Sequence, residues 1–165
     1  MNAEIDSICN QIAWLERHLF ELNFIESPFP DVKKATETIA LMNDVAPQFF
    51  IMTRYLLTDA IYMNLARLLD PMNQNGHINL SLETIISNHT PGLEQQAALS
   101  KLQEIRTRFE NGRIIRNKLL AHPDRPTVLN YPNSIDPIPL EELGRICVDI
   151  TILVQTYIPN HSLIS

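Results

Sequence analysis

Gly112-Arg113-Ile114-Ile115-Arg116-Asn117-Lys118-Leu119-Leu120-Ala121-His122-Pro123-Asp124 is the most chemically specific stretch of the chain. It closes a long run with helical periodicity, and Pro123 stops that run one residue after a histidine. With Leu102 as reference, Ala98, Ile105, Phe109 and Leu120 stay within roughly 60° of it at about 100° per residue, which is an ordinary core stripe. Arg106, Arg113, Arg116 and Asn117 fall on the same stripe. An apolar face that turns basic over its last turns is either an interface around a water-filled cleft or a set of buried ion pairs, because unpaired buried arginines cost too much to persist. Gly112 gives up about 1 kcal/mol of helix propensity relative to alanine. A close approach by another backbone or a ligand would explain it there.

Working outward, residues 3–24 read as a first helix, with Ile5, Ile8, Ile12, Leu15, Leu19 and Leu22 at core spacing and Trp14 and Phe20 widening the stripe. Pro28 and Pro30 end it, and Asp31 can cap a second helix running to about Asn43. A third helix spans about Pro47 to Leu69. It is apolar on most sides and is expected to be central, with Phe50, Leu57, Ile61, Leu65 and Leu68 on one stripe. Arg54 falls inside that stripe, Asp59, Ala66 and Asp70 lie opposite, and Arg67 can reach Asp70 at i+3. Arg54, Asp59, Arg67 and Asp70 therefore read as structural support, ion pairs that fix how helices pair.

Residues 71–76 read as a turn-rich loop, after which Asn79 or Ser81 caps a short helix to about Asn88. Thr90-Pro91-Gly92 breaks it, and the long motif helix runs from Leu93 or Glu94 to Ala121. The connector over 123–139 is rich in proline and too long for an ordinary loop, so it is expected to wrap the surface or serve the site. A last helix runs from about Leu140 to Tyr157, with Leu143, Ile146, Cys147, Ile150, Leu153 and Val154 facing in; the tail after Pro159 is expected to fray. The whole reads as an all-α, up-and-down bundle of about five to six helices in a single domain over residues 1–165.

Composition narrows the function classes. Charged residues are 19% of the chain, below the usual quarter. No apolar run reaches the roughly 18 residues of a membrane span, since Asp59 and Asp149 break the best candidates. Glu4 and Asp6 without a basic cluster do not make a secretory signal. Cys9 and Cys147 do not make a disulfide framework, and no His/Cys spacing suits zinc. A cytoplasmic protein with no metal and no other cofactor is expected. The net charge of −6 argues against broad nucleic-acid binding. Yet Lys101, Arg106, Arg108, Arg113, Arg116, Lys118 and Arg125 face only Glu104, Glu110 and Asp124 within residues 101–125, a local charge of +4. A basic patch on an acidic body suits a small anionic target; a solvated helix face laced with i,i+4 pairs is the plainer reading.

His122 follows Arg116 by six residues, about 600° in an ideal α-helix, so the two side chains do not stack on one face. Pro123 disfavours helical geometry at His122, arginine is long, and a two-fold partner can bring a second Arg/His set into one cleft. A histidine at a helix C-terminus also favours its protonated form, which suits a group that exchanges protons near neutral pH. A simple C-cap is the alternative.

The set Arg116-Asn117-Lys-Leu-Leu-Ala-His122 resembles the R-x(4–6)-H motif of the HEPN (higher eukaryote and prokaryote nucleotide-binding) superfamily. Asp59-Ala-Ile-Tyr-Met-Asn-Leu-Ala-Arg67-Leu-Leu-Asp70-Pro, then Asn79-Leu-Ser-Leu, then Arg116 through Asp124, in that order over about 45–130, looks like the abortive-infection U-type branch. The resemblance implies a helical bundle, commonly a homodimer, with motif helices lining a shared cleft. It implies a metal-independent endoribonuclease acting on RNA, often a toxin in antiphage or toxin–antitoxin systems with a cognate antitoxin.

Carried over by motif position, Arg116 would contact the scissile phosphate, His122 would act as general acid or base, and Asn117 would orient one of them. Arg113, Lys118 and Arg125 are candidate phosphate contacts, and Asp124 either orients His122 or answers Arg125. Some antitoxin-paired branches carry a tyrosine, a modification target, two residues after the histidine; here Asp124 stands there, which puts that mode of control in doubt. Two competing readings stay open. One is a non-catalytic nucleotide- or protein-binding module. The other is a purely structural helical dimer in which Asp59 or Asp70 pairs with Arg113 and Arg116.

Overall fold

Ile5, Ile8, Ile12, Leu15, Leu19 and Leu22 are all buried along one side of α1 (Ala3–Glu26), as their 3–4 spacing requires. The computed structural model describes residues 3–26, 32–121 and 135–158. Trp14 packs at the edge of that stripe, but Phe20 does not widen it and stands 71% exposed.

α2 (Val32–Val45) and α3 (Pro47–Leu69) follow. Helical bonding carries across their junction, with Ala46 N–H donating to Met42 O (3.1 Å) and Phe50 N–H to Ala46 O (3.2 Å). Pro47, which has no N–H to give, opens the second helix. Asp31, expected as a cap, lies outside the described residues.

The second half of α3 is enclosed between α1 and the motif helices, burying Ile61, Tyr62, Leu65, Ala66, Leu68 and Leu69. The first half corrects the expectation of a helix central along its whole length. Phe49, Met52, Tyr55 and Leu56 are each more than half exposed; among the described residues α2, which packs alongside this half, buries only Ala35. Ala66 is a second correction: placed on the far side by angle, it is buried, since α3 is wrapped on more than one face at that level.

The turn-rich stretch forms a short antiparallel hairpin, β1 (Asn73–Gln74) with β2 (His77–Ile78), in register Asn73 with Ile78. Asn75 and Gly76 turn it with φ of 53° and 82°, which suits an Asn-Gly pair. The Asn79 amide donates to Pro71 O (2.8 Å) and closes the hairpin base, leaving Ser81 at the N-cap position of α4 (Leu82–His89). The Ser81 hydroxyl meets Thr84 Oγ1 at 3.4 Å rather than a backbone amide.

The motif rod differs from one long α-helix. It comprises α5 (Gly92–Arg108), α6 (Glu110–Ile115) and a π-helical segment over Arg116–Ala121. Phe109 N–H donates to Ile105 O (3.1 Å) and Arg113 N–H to Phe109 O (3.0 Å), so the rod stays hydrogen-bonded through the junction.

α7 (Leu140–Tyr157) buries Leu143, Ile146, Cys147, Ile150, Leu153 and Val154 against α1 and α5. Burial pushes the Cys147 thiol up to about 12, so it packs as a small apolar side chain. Arg108 clamps α5 to α7, donating to Glu142 (2.7 Å) and to Asp149. Just before α7, the Tyr62 hydroxyl donates to Ile138 O (3.3 Å) and accepts from Ile138 N–H (2.9 Å), fastening that segment onto α3. The remainder of the proline-rich connector and the tail from Pro159 lie outside the described residues. Among the described residues the fold is all-α apart from the hairpin.

Candidate functional site

Gly112 sets the local geometry. It is buried, and a Cβ on it would lie 2.3 Å from Phe109 Cε2. The close approach at Gly112 is made by the Phe109 ring of the same rod. With Phe109 folded over Gly112, the next helical turn presents Arg116 toward the end of α3.

Arg116 is the first residue of the π-helical segment, and its side chain is 22% exposed. Its Nη1 donates to Asn117 Oδ1 (2.7 Å), and its Nη2 lies 3.5 Å from Asp70 Oδ2. Its Nε–H is shielded from solvent and has no acceptor among the described residues. π-helical turns are rare and occur frequently at functional sites. Here i→i+5 bonding also means that angles drawn for an ideal α-helix do not hold beyond Arg116. His122, Asp124 and Arg125 lie outside the described residues.

Asp70 collects charge from several directions. Burial holds its carboxyl above the ordinary carboxylate range, against the opposing pull of Arg116, Arg106, Arg113 and Arg67. Arg106 reaches the same end of α3, donating to Leu69 O (2.8 Å) and Asp70 O (2.8 Å) and pairing with Glu83 Oε2 at 2.6 Å. Glu83 also accepts from Met72 N–H (3.2 Å), so one carboxylate ties α4, α5 and the hairpin approach together. Arg113 pairs with Glu110 in a fork, Nε to Oε2 at 3.0 Å and Nη2 to Oε1 at 2.7 Å. Lys118 is exposed on the π-helical turn.

The structural-support residues divide. Arg54 pairs with Glu26 at 3.0 Å, which ties α3 to the end of α1. Asp70 joins α3 to the π-helical turn. Arg67 is exposed and acts on Asp70 as a neighbouring charge. Asp59 is exposed as a residue, yet local burial of its carboxyl raises it above the usual range; it borders a hollow with Arg54, Leu119 and Leu120. Of the two carboxylates considered as arginine partners, Asp70 takes Arg116, while Glu110 answers Arg113. The sequence reading missed Glu83 and Glu110. The i,i+3 spacing of Glu110 and Arg113 was available as a signal, whereas Arg106 and Glu83 are 23 positions apart.

These helices, in this order and with this arginine-bearing turn, invite comparison with known families. The model of the HEPN AbiU2 family, described as AbiU2, matches residues 2–158. The chain belongs to the HEPN AbiU2 family. The match is wider than the stretch that first resembled it, so α1 and α7 are part of the HEPN AbiU2 domain and not additions to it. No curated protein and no solved structure matches the chain. Among the described residues, no helix of this HEPN AbiU2 domain is long and apolar enough to cross a membrane.

Proposed function

We propose that this protein is a metal-independent endoribonuclease, a cytoplasmic toxin of antiphage abortive infection that is restrained by a cognate antitoxin. The observation that carries this is Arg116: a guanidinium half withdrawn from water, one edge held by Asn117, the Nε–H without a described acceptor, and a carboxylate only at 3.5 Å. Such a group is poorly matched inside its own chain and well matched to a phosphodiester, which offers two oxygens to a guanidinium fork. Membership of an abortive-infection family supports the same reading.

In the reaction, the RNA 2′-oxygen attacks the adjacent phosphorus and the bond to the 5′-oxygen breaks. The products are a 2′,3′-cyclic phosphate and a 5′-hydroxyl. Arg116 stabilises the extra negative charge on the phosphoryl oxygens. His122 takes the 2′-hydroxyl proton or gives one to the leaving oxygen. Asn117, bonded to Arg116, fixes the guanidinium plane. Lys118 and Arg125 steer the backbone phosphates and Asp124 orients His122; Arg113, expected as a third phosphate contact, has its charge answered by the Glu110 fork and is left out of that role.

The protein acts as a homodimer. Leu41, Val45, Phe49, Met52 and Leu56 form an exposed apolar stripe across the α2–α3 junction, and an area of that kind marks an interaction surface. A second copy of the chain is the occupant proposed here, paired about a two-fold axis.

The test is a defined single-stranded RNA incubated with chelator. Wild type should cleave it to cyclic-phosphate ends, and Arg116→Ala and His122→Ala should each lose about 10²-fold or more in rate. Equal cleavage by wild type and His122→Ala would sink this reading. The Arg116–Asp70 pair is one that a purely structural role calls for, while the acidic net charge of −6 favours a second reading, a non-catalytic nucleotide-binding module. That reading takes over if nucleotide binding survives His122→Ala, falls with Arg116→Ala, and no cleavage occurs.

A further inference from the structure

Beside the arginine turn, between the end of α3 and the α5–α6 junction, lies a cavity of about 440 Å³. Its size is within the roughly 300–1,000 Å³ range of small-ligand pockets. One side is apolar, from Ala66, Leu69 and Phe109; the other carries Gln103, Thr107 and Arg113.

The charge state of the lining separates this cavity from a phosphate site. Arg106 also borders it, but its guanidinium is committed to Glu83 and to two backbone carbonyls. Arg113 is held in a two-point fork by Glu110, which borders the cavity too. Both cations therefore arrive with their charge already answered, so a second phosphate gains little here. A neutral, flat, polar-edged molecule gains more. It can lie against the apolar wall and under the Arg113 guanidinium, which the Glu110 fork holds as a fixed plane that is still 57% exposed. The Gln103 amide offers both a donor and an acceptor to its edge.

The cavity also sits next to the reacting group. Arg113 precedes Arg116 by one turn of the rod, and both act on the same Asp70 carboxyl. We infer that this cavity is a base-binding subsite, holding one unpaired nucleobase of single-stranded RNA on the nucleotide next to the phosphate that Arg116 grips. This deepens the ribonuclease reading and rests on it for the identity of the ligand.

The test uses the full-length protein in a ¹H–¹⁵N titration with the four uncharged nucleosides and, separately, with inorganic phosphate. Nucleosides should shift the Gln103 and Thr107 resonances saturably, and phosphate should not. Thr107→Trp, which fills the cavity mouth from an exposed helix position, should weaken nucleoside binding at least tenfold. Gln103→Ala, a milder change on the same face, should weaken it several-fold and alter the preference among bases. If the RNA is cut, both variants should also shift which dinucleotide steps are cleaved.

Absence of saturable nucleoside shifts, or unchanged binding in both variants, overturns the subsite even where wild type cleaves RNA. Nucleoside binding at these resonances without any cleavage supports the subsite while removing the ribonuclease.

Discussion

Arg116 and Asp70 stand 3.5 Å apart, bridging the π-helical turn and the end of α3. The pair is looser than the forks made by Arg113 with Glu110, and Asp70 is held above the ordinary carboxylate range by burial despite four arginines acting on it. On the proposed reading, the carboxylate occupies the place of the phosphate that Arg116 would bind.

Replacing Asp70 tests that competition. Asp70→Asn should raise affinity for a non-cleavable 2′-O-methyl RNA at pH 7 by roughly threefold to tenfold, measured by fluorescence anisotropy, because Arg116 loses its resident counter-charge. In wild type, affinity should rise as pH falls through the elevated Asp70 value, and the variant should lack that component. The folded chain holds the Asp70 proton more tightly than the unfolded chain. Asp70 therefore favours folding most fully below its ordinary value of 3.8, and that contribution is lost as pH rises through the folded value. Denaturation of wild type and Asp70→Asn across that window should show the difference.

Gly112→Ala should destabilise the protein by about 1–3 kcal/mol, since the new methyl meets the Phe109 ring within the rod. Urea unfolding measures this. Phe109→Leu added to Gly112→Ala should return part of the loss, because the smaller side chain vacates the contested space. An unchanged denaturation midpoint in the single variant would contradict the packing described.

Tyr62→Phe removes one hydroxyl that serves both the amide and the carbonyl of buried Ile138. Leaving those groups without their partner should cost about 1–3 kcal/mol. Amide hydrogen exchange at Ile138 should speed up more than exchange in the middle of α5.

Met52→Lys and Leu56→Lys sit on the α2–α3 stripe, at side chains 63% and 62% exposed. They should leave helicity by circular dichroism unchanged and shift the mass by light scattering from dimer to monomer, with a Kd weakened at least tenfold. A monomeric wild type would end the dimer proposal.

How much of this was legible beforehand depended on whether a feature was local and periodic. α3 begins at Pro47 and ends at Leu69, and α7 runs from Leu140 to Tyr157 with all six inward residues as read, because proline starts and long apolar stripes are local signals. The hairpin was hidden in a polar stretch, although Asn75-Gly76 carries the positive φ values that announce such turns. The exposed half of α3 could not be read, since its composition is apolar and only the absence of neighbours distinguishes it from core. In the candidate site, Arg116 and Asn117 were legible from the motif, and Gly112 was legible as a tight spot. The carboxylates that answer Arg106 and Arg116 come from elements far away in the chain. His122, to which the proposed reaction assigns the proton transfer, lies outside the described residues.

The π-helical turn makes residue count a determinant in its own right. Its i→i+5 pattern accommodates one more residue per closed ring than an α-helix, so the azimuth at which the backbone departs from Ala121 is fixed by the tally of residues after Arg116, whatever their side chains. Deleting a single residue between Asn117 and Ala121 would rewind the turn and re-aim everything downstream, a frameshift in space rather than in reading.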